Sequence, residues 1–121
     1  MNVSIRAIAA SLTFAVTATT AFAHAQLEKA TPADGGTVAG PSEIRLAFSE
    51  GVEPRFSGVT LTAPGGANVP LGAARTEPNN QAVLIVPITK PLAAGAYTVH
   101  WHAVSVDTHH TQGTFQFTVK P

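Results

Sequence analysis

Two stretches near the C-terminus alternate strictly between large apolar and polar residues. Tyr97, Val99 and Trp101 are interleaved with Thr98, His100 and His102, and Phe115, Phe117 and Val119 with Thr114, Gln116 and Thr118. Successive side chains of a strand point to opposite faces, so a period of two commits both stretches to β-structure with one buried face. Residues 43–48 repeat the pattern, with Ile44, Leu46 and Phe48 on one face. Residues 25–30 alternate weakly, residues 59–63 are rich in β-formers, and residues 69–71 make a shorter candidate. Residues 82–87 carry a continuous apolar run, Val83-Leu84-Ile85-Val86, fit for a central strand. Turn formers separate these runs at residues 31–36, at Pro64-Gly65-Gly66, at residues 76–80 around Pro78, and at residues 91–95. No stretch carries a convincing helical period. The expected fold is all-β: an antiparallel Greek-key β-sandwich or barrel whose inner faces bury Phe48, Val83, Ile85, Trp101, Phe115 and Phe117.

The chain of 121 residues has room for one such domain, and no repeat or linker suggests a second. It has no cysteine, so no disulfide supports the core and no thiolate is present for catalysis or for a structural zinc site. Any metal site must use nitrogen and oxygen. Seven basic residues balance seven acidic ones, which gives no electrostatic reason to expect nucleic acid or an anionic membrane surface as a partner.

The N-terminal stretch has its own character. Arg6 precedes an Ala-rich apolar run that ends in Ala21-Phe22-Ala23, the small-x-small pattern of a signal peptidase site. Serine and threonine interrupt the run, which falls short of the ~20 mostly apolar residues of a membrane span. Residues 1–23 are therefore expected to be a secretory signal, and residues 24–121 the mature domain. Cleavage removes Arg6 and Met1, leaving six basic against seven acidic residues, no methionine, and His24 as the first residue.

The densest chemistry lies in Asp107-Thr108-His109-His110. An Asp-x-His pair alone is common in solvated loops. A free His24 changes its meaning. An α-amine with a pKa of ~8 can lose its proton to a metal near neutral pH, so one residue would supply two nitrogens in a chelate. Adding Asp107 and His109 gives three nitrogens and a carboxylate oxygen, a set suited to tetragonal Cu(II).

With these residues in view, the chain resembles the CopC-type periplasmic copper-binding, or copper resistance, proteins. The resemblance runs through His24-Ala25-x-Leu27, Pro32-Ala33-Asp34-Gly35, Leu46-x-Phe48-Ser49-Glu50, Tyr97-x-Val99-x-Trp101, Ser105-x-Asp107-x-His109 and Gly113-x-Phe115-x-Phe117, and spans essentially the whole mature chain. It implies that His24 (amine and ring), Asp107 and His109 bind Cu(II), with Glu50 beside the site as a supporting or weak axial group. It also implies a cupredoxin-like or immunoglobulin-like sandwich, and a monomer that sequesters Cu(II) or delivers it to an inner-membrane copper transporter of the CopD type. Two departures stand out. Some members carry a methionine-rich loop for Cu(I), which a mature chain without methionine lacks, so a Cu(II)-only member is expected. Where the family often has proline after its histidine, this chain has His110, expected to be exposed.

Two other functions fit the residues less well. An N-terminal histidine chelate also resembles the copper brace of lytic polysaccharide monooxygenases, yet Asp107 would fill a position that oxygen chemistry needs open. A metal-free interaction domain is the other, since a sandwich does not fix a function. His100 and His102 share a strand face and are read as solvent-facing residues outside the site.

Overall fold

The computed structural model describes residues 25–121 and, ahead of them, Ala10, Ser11 and Thr13 alone. His24 and the remainder of the expected signal lie outside the described residues. Nine strands and no helix make up the described chain, and they form two sheets. In the first, β1 (Leu27–Thr31), β3 (Glu43–Phe48), β7 (Asn80–Pro87) and β6 (Arg75–Glu77) lie side by side. The second runs β2 (Thr37–Val38), β9 (His110–Val119), β8 (Gly95–Val104), β4 (Gly58–Thr62) and β5 (Asn68–Val69). All pairings are antiparallel except that of β2 with β9.

The alternating stretches behave as the period of two requires. Ile44, Leu46 and Phe48 from one sheet meet Tyr97, Val99, Trp101, Phe115, Phe117 and Val119 from the other in a continuous core. Phe48 packs edge-on against Trp101 at 5.3 Å and 66°, and Tyr97 stacks on its register partner Phe117 at 5.7 Å and 14°. Each such aromatic pair contributes about 0.5–1.5 kcal/mol beyond the area it buries. The Tyr97 hydroxyl reaches the edge of the core and donates to the Ala93 carbonyl at 2.7 Å, so its burial strands no polar group.

Strand β7 differs from expectation in phase. Leu84 and Val86 enter the core cluster, whereas Val83 and Ile85 point to the outer face of their sheet. The reason is register. Leu46 pairs with Leu84 and Ile44 with Val86, so the inward positions of β3 select the inward positions of β7. Ile85 is nevertheless only 3% exposed. Its register partner Arg45 on β3 reaches across to place a guanidinium nitrogen 2.8 Å from Glu77 Oε1 on β6, so its side chain runs over the outer face of β7.

Three further differences are local. Residues 76–80 are not all loop: β6 takes Arg75–Glu77, and only Pro78 and Asn79 turn. Strand β2, two residues long, closes the edge of β9 that would otherwise remain open at Thr118 and Val119. Strands β8 and β9 are longer than their alternating cores and pair over ten positions, from Gly95 opposite Val119 to Val104 opposite His110. That long hairpin carries the candidate site at its tip.

Candidate metal centre

Residues 105–109 join β8 to β9. Ser105 is fully buried and organises the connection. Its amide donates to the His109 carbonyl at 2.9 Å, and its carbonyl accepts from the Thr108 amide at 2.8 Å. Its hydroxyl donates to Asp107 Oδ1 and accepts from the His109 amide at 3.2 Å. Thr108, between the two candidate ligands, has a φ of 73°. A β-branched residue in the left-handed region is strained by about 1–2 kcal/mol, and the hydrogen bonds around it hold it there. The bend brings His109 Nδ1 to 3.1 Å from Asp107 Oδ2, with side chains 47% and 39% exposed, open to an arriving ion.

The Ser105 hydroxyl is the main reason that the Asp107 carboxyl is held below its ordinary value. Desolvation opposes it as the next largest influence, and the His109 side chain, amide and charge add smaller effects in the lowering direction. A lowered carboxylate pKa supports the folded loop at pH values above the ordinary carboxylate range, and that support is lost as pH falls through the folded pKa. Replacing Ser105 by Ala is expected to raise the Asp107 pKa in the metal-free protein, read from its side-chain carboxyl carbon by NMR. It also leaves the His109 amide without its side-chain acceptor, at a cost of about 1–3 kcal/mol in a urea titration. An unchanged Asp107 titration would remove the hydroxyl from this role.

Two other segments are tied to the loop. The Val106 amide donates to the Gly51 carbonyl at 3.0 Å. Gln26 and Ser49 bond twice, through Gln26 N to Ser49 Oγ and Ser49 N to Gln26 O, both at 2.8 Å. Glu50 therefore sits between a residue bonded to the N-terminal segment and a residue bonded to the Asp107 loop. Its Oε1 is buried and has no hydrogen-bond partner among the described residues. The Thr111 hydroxyl, at the start of β9, donates to the Ala25 carbonyl at 2.9 Å.

Asp107 and His109 are thus brought into contact, Glu50 is placed at the join between their loop and the N-terminal segment, and His24 lies outside the described residues. His110 is exposed as the first residue of β9, as expected. Among the described residues no group of three or more His, Asp or Glu side chains is placed to hold a metal. Sequence reasoning missed Thr111, Ser49 and the role of Ser105. The spacing Ser105-x-Asp107-x-His109 was the available signal for the last, because a hydroxyl two residues before a carboxylate is a common turn bond. The donor set suits a borderline cation: an ionised carboxylate with acceptor capacity left after two contacts, an imidazole, and a second carboxylate oxygen without a partner among the described residues.

The chain is similar to known proteins over most of its length. The CopC domain family matches residues 27–120. Protein YobA of Escherichia coli K12 is 43% identical over 118 residues, covering 97% of this chain and 95% of its own. Copper resistance protein C of Xanthomonas campestris pv. juglandis is 42% identical over 118 residues, covering 93% and 90%. The crystal structure of PcoC, a methionine-rich copper resistance protein from Escherichia coli, superposes with a TM-score of 0.74 at 35% identity, over 81% of this chain and all of that one. A sandwich with this strand pairing, matched in sequence over nearly its whole length, belongs to the CopC family.

Proposed function

We propose that this chain is a periplasmic Cu(II)-binding protein that carries copper as cargo and is not an enzyme. Cleavage after Ala23 frees His24, whose amine and ring nitrogen join Asp107 and His109 around one Cu(II), with Glu50 beside the ion. The protein sequesters that copper or passes it to an inner-membrane transporter of the CopD type. The observation that carries the proposal is the bond between Ala25 and Thr111. It pins the residue that follows His24 to the strand beginning one residue after His109, and consecutive Cα atoms are only about 3.8 Å apart.

The chemistry of the donors supports Cu(II) over Cu(I). The PcoC relative is described as methionine-rich, whereas the only methionine here is Met1, which cleavage removes. Thioethers select Cu(I), and imidazole, amine and carboxylate donors favour Cu(II). The buried Glu50 oxygen, without a partner among the described residues, is what a neighbouring cation would satisfy. An electron paramagnetic resonance spectrum of the secreted protein with one equivalent of Cu(II) tests the reading. A tetragonal signal with hyperfine structure from three nitrogens is expected, and a signal from an all-oxygen environment would overturn it.

A further inference from the structure

The outer face of the five-stranded sheet carries imidazoles that the proposed site does not use. On β8 the outward positions include Thr98, His100 and His102, and both histidines are exposed. Their register partners on β9 are Thr114 for His100 and Gln112 for His102, and on β4 they are Thr60 and Gly58. His110 faces the same way opposite Val104, one diagonal step from His102. No carboxylate, lysine or arginine occupies any outward register position of β4, β8 or β9. The histidines on this face therefore have no charged partner at these register positions to explain them.

We propose that His100 and His102 form a second, surface site for a divalent transition-metal ion, with Cu(II) favoured over Ni(II) and Zn(II). Two residues apart on one face, their Cα atoms are about 6.7 Å apart, so both side chains can converge on one ion. The backbone between them is rigid, because β8 is paired on both sides at these positions. Little conformational entropy is then lost when the pair chelates.

The surroundings favour such a use. His100 Nδ1 lies 3.2 Å from Thr114 Oγ1. In the tautomer that donates from Nδ1 to this hydroxyl, the lone pair is on Nε2, the arrangement that orients metal-binding histidines in general. The His102 ring lies over Gly58: a Cβ there would come within 3.2 Å of its Cε1 and 3.7 Å of its Nε2. Glycine at that position leaves the His102 imidazole unobstructed by a neighbouring side chain. A shallow depression of about 380 Å³ beside His100, lined also by Gln112 and Thr114, leaves room for water on the His100 side of the pair. With two protein ligands the site is weaker and faster to exchange than a four-donor centre, and His110 stands between it and the Asp107–His109 pair.

This inference does not depend on the His24 site, and the two are separable by titration. The secreted protein is titrated with Cu(II) by calorimetry, alongside H100Q/H102Q and D107N/H109Q. The wild type is expected to take up a tight first equivalent and a second one at least ~10-fold weaker. H100Q/H102Q should weaken the second equivalent by at least ~10-fold and leave the first within about twofold, with an unchanged Tm because both side chains are exposed. D107N/H109Q should lose the first and keep the second, with paramagnetic broadening of amides around residues 100, 102, 112 and 114. A wild type that takes up one equivalent in total, or a second equivalent unchanged in H100Q/H102Q, would overturn the proposal. Retention of the first equivalent by D107N/H109Q would count against the terminal site alone.

Discussion

A form of the protein with one extra residue ahead of His24 is expected to bind Cu(II) at least ~100-fold more weakly than the form that begins at His24. The extra residue turns the α-amine into an amide nitrogen, which gives up its proton far less readily and breaks the chelate formed with the imidazole. The lost affinity corresponds to about 2.7 kcal/mol or more. Competition with a chromophoric chelator measures it, and the spectrum of the extended form should show one nitrogen fewer. Equal affinity in the two forms would mean that the amine is not a ligand, and that the His24 ring, Asp107 and His109 hold the ion without it.

The second large effect concerns the core beneath the site. Replacing Gly113 by Val is expected to destabilise the metal-free protein by about 2–3 kcal/mol, a fall in Tm of roughly 10–20 °C. A Cβ at Gly113 would lie 2.6 Å from Trp101 Cζ2 and 2.7 Å from both Cε2 and Nε1. The ring cannot retreat freely, because it is 9% exposed and packed edge-on to Phe48. Urea unfolding followed by Trp101 fluorescence measures both the loss of stability and any exposure of the indole. Gly113→Ala should act in the same direction with a smaller effect, and unaltered stability in the valine variant would show that the ring is freer than its packing indicates.

Much of this architecture was readable before any coordinates, and the reasons differ by element. Residues 43–48 alternate without a break, and β3 has those bounds. The run Val83-Leu84-Ile85-Val86 has no period at all, so its phase was set by pairing with β3, a long-range property that local pattern does not carry. Strand β6 escaped notice because Pro78 marks the turn after it, and three residues are too few to show a period. At the site, the types of Asp107 and His109 pointed to a cation, and their contact is observed. The clamp formed by Thr111 and Ala25 joins positions 86 residues apart, and nothing in the pattern around either residue announces it.

That clamp bears on how accurately the chain must be trimmed. Ala25 has no exposed surface and its carbonyl is already engaged by Thr111. A protease that cut one residue late would leave a charged ammonium on Ala25, next to the Gln26–Ser49 bonds that precede Glu50, and would remove both His24 donors of the proposed site. A cut one residue early would leave the His24 nitrogen acylated. On the proposed reading the copper site thus tolerates one scissile bond alone, and an error of trimming on either side of it would yield a chain that binds copper poorly.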